Sequence, residues 1–178
     1  NNTAAVIGNL TVTDVDSSNF PYTINDNRLE VVNSQLKLKD GESLDFETES
    51  SINLSVTATD NGNPNQSFTK NFAIAVTNVN EAPNITSNNS FSVAENTTKV
   101  GKITASDADD DNLSFSITGG SDQGLFTIDS NSGELSFNNA PDFETAADND
   151  GDNNYQVQIG VADGSETVTQ DLTVTVTN

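Results

Sequence analysis

The chain has 178 residues, with 27 Asp and Glu against 6 Lys and Arg, a formal net charge of -21, and no Cys, His, Met or Trp. That balance repels nucleic acid and anionic membrane faces, and it removes disulfides, thiolate chemistry and the commonest general base and zinc ligand. No apolar run approaches the roughly 18–20 residues that span a bilayer, so membrane insertion is not expected, and the chemistry left is that of carboxylates.

Low hydrophobicity with high charge is a mark of disorder, but the apolar residues here fall in strict alternation. From the start of the chain, Leu10 and Val12 alternate with Thr11 and Thr13, and Asp14 and Asp16 continue the apolar register. A polar stretch, Asp45-Phe46-Glu47-Thr48, precedes residues 52–60, where Ile52, Leu54, Val56 and Ala58 form one row that ends in Asp60. Residues 72–77 alternate again and run into Asn78-Val79-Asn80-Glu81-Ala82-Pro83. Ile85–Val93, read as the first strand of the second copy, then leads to Ala94-Glu95-Asn96. Ile103 and Ala105 are followed in register by Asp107 and Asp109, and Asp142-Phe143-Glu144-Thr145 and Asp148-Asn149-Asp150-Gly151-Asp152-Asn153 come next. Tyr155, Val157, Ile159 and Val161 form a row ending in Asp163, and residues 172–177 alternate to the end. A period of two rich in β-branched residues predicts half-buried strands. Short strands between Asn/Asp/Gly clusters, with no helical period, predict an all-β sandwich.

These segments occur twice. Gly8–Asp16 returns as Gly101–Asp109, Asp45-Phe46-Glu47-Thr48 as Asp142-Phe143-Glu144-Thr145, and the strand entering Asn78 as the one entering Asn178. An internal repeat of this period predicts two tandem domains, 1–82 and 83–178, joined through Ala82-Pro83, which favours an extended linker. The first copy has no counterpart of Ile85–Val93.

The acidic residues carry the chemistry. A carboxylate continuing an inward-facing row is costly unless something cationic meets it, and no Lys or Arg lies nearby in sequence. The alternative is that each strand simply ends and the Asp caps an Asx-turn. Following the chain direction, Asp60 falls at the pole away from the linker. Asp45, Glu47, Glu81, Asp107, Asp109 and Asp163 converge at the linker, with Asn78 and Asn80 beside them. Six like charges there call for divalent cations, and flexible hard-oxygen ligands suit Ca²⁺ over zinc or strictly octahedral Mg²⁺. Asp110 and Asp111 read as solvated. The Asp148, Asp150, Asp152 cluster is either a solvated turn or a local Ca²⁺ site near Asp142 and Glu144; its Gly151 is misplaced for an EF-hand loop. A glycosidase could use paired carboxylates, but no Trp and only two Tyr are present to line a sugar cleft, and no enzyme activity is expected.

The motifs together resemble the cadherin repeats, specifically bacterial cadherin-like domains. Ala94-Glu95-Asn96 is similar to the family's x-Glu-Asn motif, and Asp14-x-Asp16 and Asp107-x-Asp109 to its Asp-x-Asp motif. Asp45-Phe46-Glu47 and Asp142-Phe143-Glu144 resemble Asp-Arg-Glu with Phe for Arg, and Asp60-x-Gly62-x-Pro64-x-x-Ser67 fits its pattern throughout. Asn78–Pro83 resembles the linker motif, one residue shorter and with Asn for the first Asp. The resemblance implies two seven-stranded Greek-key, immunoglobulin-like sandwiches, the first without its N-terminal strand, and about three Ca²⁺ per junction. It also implies an extracellular, secreted or cell-surface role in adhesion. Asn1 and Asn2 stand where the first copy's x-Glu-Asn motif belongs, which reduces the expectation to two or three ions. Asp163 keeps only the first position of its motif. The absent strand is either missing from this sequence or supplied by another chain, in which case a strand-exchange dimer follows. Alternative roles are a Ca²⁺-dependent polysaccharide-binding module or a passive spacer of a large bacterial surface protein.

Overall fold

The computed structural model describes residues 5–178, divided into two compact units at Val79 and Asn80. Alternating Val, Ile, Leu and Phe form strands because each pleated segment can turn one apolar row inward and leave Ser, Thr and Asn to solvent.

In the first unit, β1 (Val6–Asn9), β3 (Leu29–Val32) and β4 (Gln35–Leu38) form one sheet in the order β1-β4-β3. β2 (Tyr22–Ile24), β5 (Ser51–Thr59) and β6 (Ser67–Ala75) form the other, in the order β2-β5-β6. Leu29, Leu36, Leu38, Ile52, Leu54 and Val56 fill the space between them. The row expected on 52–60 is as read from the sequence: Ile52, Leu54, Val56, Ala58 and Asp60 are all buried.

The second unit contains β7 (Asn84–Ile85), β8 (Ser90–Ala94), β9 (Lys99–Lys102), β10 (Ala105–Ser106), β11 (Ser114–Gly119), β12 (Phe126–Ile128), β13 (Glu134–Phe137), β14 (Asn154–Ala162) and β15 (Thr167–Thr177). Counting β7 with β8 and β9 with β10 as interrupted single strands, these are the seven strands of an immunoglobulin-like sandwich. One sheet runs β11-β14-β15-β8, with β8 parallel to β15; the other runs β12-β13-β9, with β7 paired to β10. The first unit has the same two sheets without equivalents of β7, β8 and β10 among the described residues.

The core of the second unit is anchored by aromatic rings. Phe126 and Phe137 stack at 4.4 Å, and Tyr155 meets them edge-on at 6.2 and 5.0 Å. The Tyr155 hydroxyl accepts the Ala147 amide at 3.1 Å, so the ring also fixes the loop before β14. Asp122, 5% exposed, works as a buried cap. Its Oδ1 accepts the Asn149 amide at 2.7 Å, and its Oδ2 accepts the Gln156 amide at 2.7 Å and the Ser121 hydroxyl at 2.9 Å. Sequence reasoning missed this residue, because nothing in its spacing separates a buried cap from a loop aspartate.

Candidate metal centre

In the second unit the expected linker-side residues are held by one hydrogen-bonded chain. Asp163, where β14 hands over to β15, accepts the Ser165 and Glu166 amides on Oδ1, each at 2.6 Å. Its Oδ2 accepts the Asn80 carboxamide at 3.0 Å. The Glu166 amide first, then the Asn80 carboxamide, hold the Asp163 carboxyl below the usual carboxylate range. The Glu81 amide donates to Asp109 Oδ2 at 2.9 Å. Asp107 Oδ1 accepts the Asp109 amide at 3.0 Å and the Asp111 amide at 3.4 Å. Asp110, at φ +59°, turns the chain so that Asp107, Asp109 and Asp111 each present an oxygen within 4.8 Å of the others.

One atom in this group is distinctive. Asp107 Oδ2 is buried and has no hydrogen-bond partner. A buried carboxylate oxygen without a donor or cation costs several kcal/mol, and three carboxylates this close repel one another. The site therefore passes the chemical test for a hard divalent cation: oxygen ligands only, negative charge in excess, and an acceptor left over. Asp111, read from the sequence as solvated, is exposed, and the turn at Asp110 brings one of its oxygens near those of Asp107 and Asp109.

The register argument separates the two copies. Ile103, Ala105, Asp107 and Asp109 are buried or half-buried while the residues between them are exposed, as expected. Asp14 and Asp16 differ. β1 stops at Asn9, both residues are exposed, and Asp14 Oδ1 takes the Val15 and Asp16 amides. They do not continue an inward row; the Asx-turn alternative describes them. Asp60 is buried, but its Oδ1 is committed to the Gly62 and Gln66 amides at 3.1 and 2.7 Å, closing the β5–β6 loop. Asp45 is likewise an exposed turn cap. It accepts the Glu47 and Thr48 amides and the Thr48 hydroxyl, and the Thr48 hydroxyl is the main reason its carboxyl stays below the usual range.

At the other end of β15, Glu95, Asp142 and Glu144 also bring oxygens within 4.8 Å of one another. Glu95 Oε2 accepts the Phe143 amide at 3.2 Å, Asp142 Oδ1 the Glu144 and Thr145 amides, and Glu144 Oε1 the Asn178 carboxamide at 2.7 Å. The eleven residues of β15 separate this cluster from Asp163 by roughly 35 Å at about 3.3 Å per residue.

Asp148, Asp150 and Asp152 form a third group. Asp148 is buried and accepts the Asp152 and Asn153 amides at 2.8 and 3.3 Å. Burial would raise its carboxyl, but the Asp152 amide and the Asp150 carboxyl outweigh that and hold it low. Asp150 is pushed up, first by its hydrogen bond with Asp148 and then by the charge of Asp152. No helix among the described residues is long and apolar enough to cross a membrane.

Comparison with known proteins converges on one family. The Cadherin domain model matches residues 89–177. Human Protocadherin-16 is 37% identical over 114 residues, 60% of this chain, and human Protocadherin alpha-2 is 34% identical over 143 residues, 74% of this chain. The chain spans only 4% and 14% of those proteins. Among solved structures, mouse Cadherin-23 EC22-24 aligns over 99% of this chain and 59% of its own, with a TM-score of 0.69 at 22% identity. The Protocadherin gammaB7 EC3-6 cis-dimer structure aligns over 89% of this chain and 42% of its own, with a TM-score of 0.63 at 22% identity. The relatives are mammalian protocadherins and give no support to a bacterial host.

Proposed function

Because the chain belongs to the cadherin domain family of extracellular adhesion repeats, we propose that it is a calcium-dependent adhesion module, with repeats over 1–82 and 83–178. Asp107 Oδ2, buried and without a donor, is the observation that carries the calcium reading. Ca²⁺ would take Asp107, Asp109 and Asp111, with Glu81, Asp163 and Asn80 on the same hydrogen-bonded chain. The family resemblance adds Asp45 and Glu47 from the first repeat, and an ion shared in that way would stiffen the linker. Glu95, Asp142 and Glu144 would hold a second ion at the opposite end of the second repeat. Asp14 and Asp16 fit less well, because both are exposed and lie outside any strand, and Asp60 Oδ1 closes the β5–β6 loop.

Adhesive contact of one copy with another is the partner class that the relatives suggest, one of them having been solved as a cis-dimer. Thermal unfolding with and without Ca²⁺ tests the reading. A ligand that binds only the folded chain at a hundredfold excess over its Kd adds about 2.7 kcal/mol, so the second repeat should melt several degrees higher in Ca²⁺ than in EGTA. Superimposable melting curves would refute it.

A further inference from the structure

The turn that carries Asp142 and Glu144 is held from two sides. On one side Glu95 Oε2 accepts the Phe143 amide at 3.2 Å, and the Asn96 amide donates to the Pro141 carbonyl at 2.8 Å. On the other, Asn153 Nδ2 donates to the Phe143 carbonyl at 3.0 Å. Asn153 is itself fixed at three points. Its φ is +62°, in the left-handed region that Asn tolerates better than most residues. Its carbonyl accepts the Val176 amide of β15 at 2.9 Å, and its own amide donates to Asp148 Oδ1 at 3.3 Å.

Asp148 is buried, and both of its oxygens are engaged inside its own loop, Oδ1 by the Asn153 amide and Oδ2 by the Asp152 amide at 2.8 Å. The first unit has no such loop: Thr48 and Ile52 stand four residues apart, whereas their counterparts Thr145 and Tyr155 stand ten apart. Its corresponding turn has a different support. Glu49 closes that turn by donating its amide to the Asp45 carbonyl at 2.9 Å, and its side chain meets Arg28 at 2.6 Å. The turn with the acidic pair is therefore braced from elsewhere in the chain in both units, by an ion pair in one and by a neutral carboxamide in the other. Asn153 Oδ1 is buried without a donor, which leaves a spare oxygen on the brace of a turn that carries two carboxylates, surroundings that suit a hard cation.

We propose that Asn153 is a positioning residue for the group Glu95, Asp142 and Glu144, and that the loop 148–153 is the strut that carries it. The proposal rests on the reading of that group as a Ca²⁺ site. The peptide between Phe143 and Glu144 is planar, so its carbonyl and its amide turn together. Holding the Phe143 carbonyl from Asn153 therefore aims the Glu144 amide at Asp142 Oδ1, which accepts it at 3.0 Å. The two carboxylates on either side of Phe143 are thereby kept in one arrangement before an ion arrives. Hydrogen bonds that orient ligands from outside the coordination shell are typically worth about 10–100-fold in metal affinity. The buried Asp148 acts through this brace and not as a ligand of its own ion, because its oxygens already hold the loop closed.

The test uses the full 178-residue chain and residue-resolved NMR of its amides. Asn153→Gly keeps the left-handed backbone and deletes the donor; Asn153→Asp keeps the shape and puts an acceptor in the donor's place. In EGTA both variants should exchange the amides of residues 143–145 about tenfold faster or more, while β14 and β15 keep their protection. A residue needed only for its backbone conformation would leave those rates unchanged. In a Ca²⁺ titration the Kd read at residues 143–145 should rise about tenfold in Asn153→Gly, and the Kd read at Asp109 and Ser165 should not move. Unchanged exchange with unchanged Kd overturns the proposal. So does protection lost throughout β14 in both variants, or equal weakening at the two ends, since either reports general destabilisation. If the amides of residues 143–145 in the unaltered chain do not respond to millimolar Ca²⁺, the calcium reading of this group fails, and the proposal with it, whatever the exchange rates show.

Discussion

Asp122→Ala removes a carboxylate whose two oxygens are committed to backbone amides inside the second unit, Asn149 on one and Gln156 on the other. Each buried N–H left without an acceptor costs about 1–3 kcal/mol. Some water will enter the space vacated near the surface, which places the total in the lower half of that range, about 2–4 kcal/mol. For a unit of about 100 residues, each kcal/mol moves the midpoint by roughly 4–8 °C, so the second unit should melt about 10–25 °C lower. Differential scanning calorimetry of the full chain separates this from the first unit, whose transition should not move. Asp122→Asn keeps one acceptor but turns a carboxamide N–H₂ against the other amide, and should cost about half as much. A shift under about 3 °C for Asp122→Ala would refute the reasoning, since it would mean that the amides find other partners and that the buried carboxylate is not a cap.

Three further outcomes follow from the same geometry. The Arg28 side chain, bonded to Asp26 at 3.1 and 2.7 Å and to Glu49 at 2.6 Å, is the main cause of the lowered Asp26 carboxyl. A depressed carboxyl adds stability above its unfolded value near 3.9 and loses it as pH falls through the lower folded value. The urea midpoint of the first unit should therefore fall between about pH 4 and pH 2, and Asp26→Asn should flatten that dependence. Tyr155→Phe keeps the aromatic packing but takes the acceptor from one part-buried amide, that of Ala147, so a loss of about 0.5–1.5 kcal/mol by urea titration is expected. Gly120→Ala should cost more than about 2 kcal/mol in the same titration, because φ is +104° and the new Cβ would sit 2.4 Å from the Gln156 carbonyl oxygen.

Strand register was the part of the molecule most legible in the sequence. The rows on 52–60 and 155–163 bury the residues that alternation selects, because a period of two leaves no other way to hide them. The same logic reached Asp107 and Asp109 but failed at Asp14 and Asp16, where β1 ends after four residues and the parity of the following segment no longer refers to any sheet. Asp111 shares the parity of Asp107 and Asp109, yet it is exposed, because it lies beyond the left-handed turn at Asp110, where alternation no longer refers to a strand. Asp122 and Asp163 illustrate the remaining gap. Both accept backbone amides, yet Asp122 is buried behind β14 and Asp163 stands at a strand end beside Asn80. Which amides a carboxylate meets depends on loops folding back from elsewhere in the chain.

The central claim is that the Asp107 group is a calcium site, and isothermal titration calorimetry of the chain with Ca²⁺ tests it most directly. Saturable binding is predicted, with at least one site weakened tenfold or more in Asp107→Asn while the melting profile in EGTA is retained or raised by relief of charge repulsion. Binding isotherms that are the same for the two proteins, or no binding to either at millimolar Ca²⁺, would contradict it.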